Sequence, residues 1–232
     1  MTTTETHHRF SKQCGLLETS GRPFWFTGMF LANALLSVLY PQSCRICGGS
    51  VEQRRFGVAC EPCWNKTQVL TDDCAIGWYE GALRESVLLL KRQPYLPAHL
   101  VELLIERAKS LESITKIVPV PLHKDRLRSR GFNQATIIGR EISRALRIPM
   151  DEIILVRVSA TQKYRTGLDA RGRRESVAKA FSVRHPRLVE GEQILLVDDV
   201  FTTGATVGAC EAALLASGAK SVLILTLARA RH

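Results

Sequence analysis

The chain has 232 residues, of which 45% are hydrophobic and 23% are charged. These ordinary globular proportions exclude a mainly disordered chain, a collagen-like repeat and a coiled coil. Lys and Arg outnumber Asp and Glu by 32 to 22, a net charge of +10 that favours phosphate-rich ligands or nucleic acid as partners. Residues 121–185 hold 15 basic and 6 acidic side chains, so a net charge of +9 lies in that stretch.

The N-terminal part divides into a polar tail, residues 1–22, and an uncharged segment, residues 23–40. The second segment is just long enough for a helix that spans a membrane. However, Asn33 and Ser37 lie one helical turn apart, which favours an amphipathic helix that packs on the domain and ends at Pro41. No clear signal peptide is present. We therefore expect a cytoplasmic protein without a stable membrane span, and a membrane anchor remains the alternative.

Four of the seven cysteines form two C-x-x-C pairs separated by twelve residues: Cys44, Cys47, Cys60 and Cys63. Two such pairs can complete a tetrahedral four-thiolate zinc site with no open position, so the expected zinc is structural. The alternatives are a redox pair or cysteines that share this spacing by coincidence. The remaining three are expected to be ordinary buried or free thiols: Cys14, Cys74 and Cys210. Residues 23–72 thus form the predicted helix plus zinc module.

Strands and helices alternate over residues 73–232. The predicted strands are 75–80, 114–120, 153–158, 194–197 and 222–227, and the predicted helices are 82–91, 98–109, 133–146 and 205–216. Residues 122–131 are expected to form a basic loop, and 159–179 a polar, Arg-rich loop. This alternation predicts an α/β domain with a mainly parallel sheet flanked by helices.

The sharpest motif is ILLVDDVFTTGAT, residues 194–206. An apolar strand is predicted to end at Asp198 and Asp199, where open α/β sheets place ligands. A loop then enters a helix N-terminus, whose amide groups and dipole attract phosphate. Paired acids beside such a cradle suit a sugar phosphate; alternatively, the acids only cap the helix. The predicted cradle consists of Thr202, Thr203, Gly204, Ala205 and Thr206.

Four cations follow the strand predicted at 114–120: Lys124, Arg126, Arg128 and Arg130. Beside Gly131 they suit a pyrophosphate group, whose negative charge grows as it leaves a sugar. The alternative is a solvated basic face, which such charge clusters commonly form.

The 194–206 motif resembles the phosphoribosyl pyrophosphate (PRPP) signature of type I phosphoribosyltransferases. Other motifs extend the likeness: the cysteine pairs, WYEG at 78–81, Leu90-Lys91, VPVPL at 118–122, RGFNQ at 130–134, Thr166-Gly167-Leu168 and Ala180-Phe181. Their order resembles the ComF/GntX group of competence-linked phosphoribosyltransferase-like proteins over roughly residues 25–230. This resemblance implies a phosphoribosyltransferase-like fold with a small hood.

The resemblance also implies roles for the site residues. Asp198 and Asp199 would be the catalytic acids that hold the ribose, 202–206 would bind the 5-phosphate, and the four cations would bind pyrophosphate with Mg²⁺. The hood would contact the acceptor through Arg165, Arg171, Arg173 and Arg174. Two positions depart from the family pattern, since Arg165 stands where Gln is usual and Ser176 where Asn is frequent.

The leading functional hypothesis is a phosphoribosyltransferase linked to DNA uptake and natural transformation, with an acceptor that the sequence does not reveal. One alternative is a non-catalytic competence factor that associates with single-stranded DNA or with DNA-uptake proteins. The other is a PRPP-sensing regulator without turnover.

Overall fold

A computed structural model describes residues 42–71, 74–158 and 180–231. These residues belong to the unit Pro41–His232. The predicted tail, the amphipathic helix predicted at 23–40 and the Arg-rich stretch 159–179 lie outside the described residues. No helix in the described parts of the chain is both long and apolar enough to cross a membrane.

Four parallel strands form the central sheet, and two further strands form a separate antiparallel ribbon. In chain order the strands are β1 Ala75–Trp78, β2 Lys116–Pro119, β3 Leu155–Arg157, β4 Phe181–Val183, β5 Gln193–Phe201 and β6 Ser221–Arg229. The sheet order is β1-β6-β5-β2, and the ribbon pairs β3 with β4. The described helices are α1 Glu61–Trp64, α2 Gly81–Leu90, α3 Ala98–Lys109, α4 Lys124–Arg130, α5 Gln134–Leu146 and α6 Ala205–Ala216. The predicted α/β class with a parallel sheet is confirmed.

Both faces of the sheet are covered, as β5 illustrates. Leu195 and Val197 belong to one buried cluster, which also contains apolar side chains of α2, α3 and α5. Ile194 and Leu196 belong to a second cluster, with side chains of α6 and the β3–β4 ribbon. Successive strand residues point to opposite faces, so an unbroken apolar run is what a strand buried on both sides requires.

The structure corrects two sequence expectations. The stretch expected to be a basic loop contains helix α4, which His123 caps by accepting a hydrogen bond from the Asp125 amide at 3.3 Å. Left-handed Gly131 ends this helix. No residue of α4 is buried, so it lacks the apolar periodicity by which sequence predicts a helix. The strand predicted at 153–158 exists as β3 but pairs with β4 outside the parallel sheet.

The cysteine-rich segment packs directly on α3. Trp64 donates its indole N–H to the Phe56 carbonyl at 2.9 Å, and both rings lie edge-on to His99, with centroids 5.0 Å away. Arg55 forms an ion pair with Glu102 of the same helix. One continuous apolar cluster therefore joins the cysteine-rich segment to the helices on one face of the sheet.

Candidate functional site

The two acids lie on β5, near the carboxyl end of the sheet. Asp198 is in register with Thr226 of β6, and Thr226 with Ala75 of β1. The strand continues as far as Phe201, opposite Arg229. The prediction that the strand ends at the acids is therefore wrong, because only its fully buried apolar part ends at Val197. Ladder pairing consequently fixes the backbone that carries both carboxylates.

Asp198 and Asp199 have different neighbours. Lys91, the residue after α2, places its Nζ 3.4 Å from Oδ2 of Asp199 and 5.9 Å from the centre of the Tyr79 ring. Asp198 is influenced by the charges of both Lys91 and Arg157, of which Arg157 lies on β3. These contacts follow the alternation of a strand, which directs adjacent side chains to opposite faces of the sheet. Each acid thus has a cation near it, contributed by a different element.

Protonation of Asp198 is tuned by its surroundings. Burial raises the pKa of Asp198 to about 7, and the charge of Asp199 adds to this effect. The amide of Asp199, which donates to Oδ1 of Asp198 at 2.9 Å, and the charges of Lys91 and Arg157 oppose the increase. Burial also raises the pKa of the Cys210 thiol on α6, with a further contribution from the charge of Asp198. Asp198 therefore titrates near neutral pH.

The Thr/Gly segment forms the predicted connection between β5 and α6. Gly204 has a left-handed φ of 73° and precedes the first residue of the helix. A Cβ at this position would lie 2.8 Å from Cζ of Phe201, so both the backbone conformation and the space require glycine. Thr202, Thr203 and Ala205 are exposed. The first-turn amides of a helix lack intrahelical partners, so this loop presents donors at the carboxyl edge of the sheet.

The four predicted pyrophosphate-binding cations all lie on α4, at alternate positions. Residues four apart share a helix face, whereas residues two apart are separated by about 200°. Lys124 therefore shares a face with Arg128, and Arg126 with Arg130. Arg130 donates to Oε1 of Gln134 at 2.6 Å. The helix therefore presents two pairs of cations in different directions, whereas the sequence predicted a single cluster of four.

The first residues of α5 attach the α4–α5 segment to the sheet. Asn133 donates from Nδ2 to the carbonyl of Val120 at 2.9 Å and accepts at Oδ1 from the amide of Ala135 at 3.2 Å. Gln134 is only 2% exposed, and its buried Nε2 has no hydrogen-bond partner among the described residues. Since Val120 directly follows β2, which pairs with β5, α4 and α5 begin beside the strand that carries the acids.

The four cysteines of the predicted metal site come together. The sulfur atoms of Cys44, Cys47, Cys60 and Cys63 all lie within 4.8 Å of one another. Burial opposes ionisation of Cys44, but backbone hydrogen bonds at Cys47, Cys60 and Ile46 lower its pKa to about 6. The four thiols are therefore close enough to hold a metal ion.

Two residues near the acids escaped functional assignment from sequence, namely Lys91 and Arg157. Lys91 belongs to a family motif, but its sequence distance from Asp199 gave no sign of contact. Arg157 stands in a short strand whose pairing was not predictable. The four arginines assigned to the hood lie outside the described residues, so their role stays a prediction: Arg165, Arg171, Arg173 and Arg174.

No protein-family model matches the chain, but curated proteins are similar to it. Competence protein F of Haemophilus influenzae is 32% identical over 195 residues, which cover 79% of this chain and 78% of that protein. DNA utilization protein YhgH of Salmonella typhimurium is 31% identical over 208 residues, which cover 80% and 89% of the two chains. Competence protein ComFC of Bacillus subtilis is 34% identical over 114 residues, 49% of this chain and 44% of that one.

Two solved structures show weaker likeness. Glutamine PRPP amidotransferase from Bacillus subtilis gives a TM-score of 0.39 at 18% identity, over 56% of this chain and 28% of that one. Adenine phosphoribosyltransferase from Leishmania tarentolae gives a TM-score of 0.37 at 20% identity, over 61% and 57% of the two chains. At these TM-scores neither similarity supports an inference about function.

Proposed function

The chain belongs to the competence protein F family, and from that premise we propose that it binds PRPP with Mg²⁺ and transfers the phosphoribosyl group to an acceptor as part of DNA uptake. The supporting observation is the geometry of the β5–α6 connection. Two carboxylates on a ladder-fixed strand stand next to an exposed Thr/Gly loop that opens a helix.

In this proposal the acids and the loop hold opposite ends of the ribose 5-phosphate. Asp198 and Asp199 accept hydrogen bonds from the vicinal ribose hydroxyls, and the hydroxyls and amides of 202–206 bind the 5-phosphate. Gly204 lets the backbone approach the phosphate closely. Mg²⁺, which prefers oxygen ligands, would bind together with PRPP beside Asp198 and Asp199 and would neutralise negative charge on the pyrophosphate.

Transfer requires no protein nucleophile. A lone pair of the acceptor forms the new bond to ribose C1, the bond from C1 to the pyrophosphate oxygen breaks with its electron pair on pyrophosphate, and the proton of the acceptor passes to solvent. Charge then builds on the leaving group, so cations of α4 stabilise it, and the fixed acids position the sugar. Since α4 directs its cations in two directions, one of the two pairs binds pyrophosphate and the other remains at the rim.

Calorimetry of the full chain with PRPP and Mg²⁺ tests the binding. We expect saturable binding by the wild type, at least about tenfold weaker in Asp198→Asn/Asp199→Asn because charge-assisted hydrogen bonds are lost. Glu112→Gln/Glu190→Gln, which removes two exposed acids elsewhere, is the matched control. No binding by the wild type, or undiminished binding by the aspartate variant, would exclude this function.

Turnover needs a separate assay. PRPP-dependent release of pyrophosphate is measured against a panel of bases, amines and oligonucleotides. We expect release with one acceptor class. Binding of PRPP without release in any member of the panel would leave a PRPP-sensing regulator as the function.

We further propose that the cysteine cluster holds a structural zinc ion. A tetrahedral site with zinc–sulfur bonds of about 2.3 Å places its sulfurs about 3.8 Å apart. The Sγ atoms of Cys47 and Cys60 lie 3.6 Å apart, close to that requirement. Cys44 and Cys63 complete the set and leave no position for a substrate.

A second candidate function is binding of single-stranded DNA, and the surface of α4 favours it. Lys124, Arg126 and Arg128 are exposed, and no described acidic side chain lies within 4.0 Å of them. Anisotropy of a labelled oligo(dT) at increasing salt tests this function, since each neutralised phosphate adds about 0.7 to the slope of log affinity against log salt. Affinity that changes little with salt would count against it, whereas competition by PRPP would indicate one shared anionic site.

A further inference from the structure

A cavity of about 510 Å³ lies between the cysteine-rich segment and the end of α2. Its lining is polar and contains two arginines, two glutamines and a tyrosine: Arg45, Arg54, Gln42, Gln93 and Tyr95. No lining residue is acidic. A cavity of this size can hold a ligand as large as a mononucleotide.

The charges of the cysteine-rich segment are segregated. Glu52 and Glu61 line a different cavity, beside Cys47 and Cys60. Arg55 is paired with Glu102 of α3. Arg45 and Arg54 are exposed, and no acidic group of the described residues lies within ion-pair distance of either. Two guanidinium groups that form no ion pair with the described residues thus line one cavity.

This cavity is distinct from the edge that carries the acids. Leu89 lines it, while Lys91, two residues on, contacts Asp199. Lys91 still has helical backbone angles, so the two side chains point about 200° apart around the helix end. The end of α2 therefore separates the cavity from the proposed PRPP site.

We propose that this cavity is a second anion site that binds the phosphate of a nucleotide. Guanidinium groups match phosphate oxygens in bidentate geometry, which explains two arginines in place of lysines. Tyr95 is 45% exposed and offers an aromatic surface on which a base can stack. The amides of Gln42 and Gln93 supply donors and acceptors for the base edges. The phosphate can belong to a free nucleotide or to a single strand, which share this chemistry.

The competing explanation is that the arginines only offset the charge of the thiolate cluster, because Arg45 lies between Cys44 and Cys47. That role predicts loss of bound zinc when the arginines are replaced. It gives no reason for an exposed tyrosine or for a cavity without acidic residues. Because only this explanation predicts loss of zinc, the zinc content of the arginine variant separates the two explanations.

The test titrates the full, zinc-loaded chain with thymidine 5'-monophosphate and with oligo(dT) by calorimetry. We expect saturable binding that Arg45→Gln/Arg54→Gln weakens at least about tenfold. Arg184→Gln/Arg187→Gln, which removes two exposed arginines elsewhere, should bind as the wild type does. Asp198→Asn/Asp199→Asn should retain this binding, so that failure here is distinguishable from failure of the proposed PRPP site.

A second variant tests the base. Tyr95→Ala should weaken binding of thymidine 5'-monophosphate about tenfold but leave binding of inorganic phosphate unchanged. Tighter binding of oligo(dT) than of the mononucleotide would assign the site to a strand, and equal binding to a free nucleotide. No binding by the wild type, equal weakening in the control, or loss of zinc together with nucleotide binding would overturn the proposal.

Discussion

At the residue scale, Asp198 and Asp199 are adjacent in the chain and yet differ in their electrostatic surroundings. Lys91 contacts Asp199 and its charge also acts on Asp198, whose other electrostatic neighbours include Arg157 and Cys210. A sugar bound at this edge would thus meet two carboxylates that lie on opposite faces of the sheet, because adjacent side chains of a strand alternate.

Removal of Lys91 should change the titration of Asp198. The Lys91 charge lowers the pKa of Asp198, so Lys91→Met should raise that pKa, and Lys91→Arg should preserve it. Carbon-13 NMR of the aspartate carboxyls against pH measures the effect directly. Lys66→Met, at an exposed lysine, is the control. An unchanged titration of Asp198 in Lys91→Met would mean that the Lys91 charge does not act on Asp198.

Asp198 should also make stability depend on pH. Its pKa rises from 3.8 to about 7 on folding, so the native state holds the proton more tightly than the unfolded state. Stability due to this group should therefore be greatest below pH 4 and fall as the pH rises towards about 7. Asp198→Asn should remove the slope and raise the free energy of unfolding at pH 8 by about 1–3 kcal/mol.

Urea denaturation between pH 4.5 and 8 measures this dependence. Glu112→Gln, at an exposed acid, should keep the wild-type slope. The prediction fails if Asp198→Asn and the wild type show parallel stability curves.

At the element scale, the backbone conformations of helix α4 and of the β5–α6 connection decide which side chains and amides of the two motifs face a ligand. Helix α4 turns four cations at alternate positions into two pairs with different directions. The β5–α6 connection depends on one left-handed glycine packed against an aromatic ring. Local backbone geometry, in addition to residue type, therefore determines which groups can reach one phosphate.

Replacement of Gly204 should lower the stability of the folded chain. Gly204→Ala should cost about 1–3 kcal/mol, because alanine disfavours φ of 73° and its Cβ would press on Phe201. Gly208→Ala is the matched control, since this exposed helix position has nothing within 4 Å of an added Cβ. The control should gain about 0.5–1 kcal/mol from helix propensity. Equal effects of the two substitutions in urea denaturation would contradict the requirement at 204.

At the scale of the whole molecule, the cysteine-rich segment contributes to the main core. Cys44, Phe56 and Trp64 belong to the same buried cluster as side chains of α2 and α3. Two arginines of this segment, Arg45 and Arg54, line one cavity, and Glu52 and Glu61 line another. One small segment thus combines a four-cysteine cluster, a share of the core and a basic cavity.

Removal of zinc should therefore destabilise the domain and not only the module. Loss of a structural zinc ion leaves four thiols without a metal, and three of them are buried in the shared core, which transmits the loss to α3. A chelator should lower the midpoint of one cooperative thermal transition by several degrees in calorimetry, and Cys60→Ala/Cys63→Ala should reproduce this. Cys74→Ala should respond to the chelator as the wild type does. Two separate transitions, of which only one responds to the chelator, would contradict this coupling.

Several parts of this molecule could be predicted from local patterns. Helices α3 and α6 begin and end where apolar spacing and turn residues indicated, and Asn133 caps α5 as expected. The spacing of the cysteine pairs was enough to predict that four thiols meet. These features depend on interactions within a few residues, or on a metal-binding spacing known from many folds.

Other features depended on distant parts of the chain. Helix α4 has no buried face, so its sequence shows no apolar periodicity from which a helix could be predicted. Strand β3 has three residues, which are too few to predict the strand with which it pairs. The contact between Lys91 and Asp199 spans more than a hundred positions in sequence and exists because α2 ends near the carboxyl edge of β5.

The amino-acid sequence by itself determined the α/β class, the four-cysteine cluster and the acid–loop–helix motif, because each is encoded in short-range patterns of apolar, turn-forming and ligand residues. Only the tertiary structure decided which cation stands beside which acid and that the positive charge is divided. Packing brought Lys91 to Asp199, and the α4 helix separated its four cations into two pairs. Basic side chains of the described residues thus lie at distinct surfaces, which include helix α4 and a cavity lined by Arg45 and Arg54.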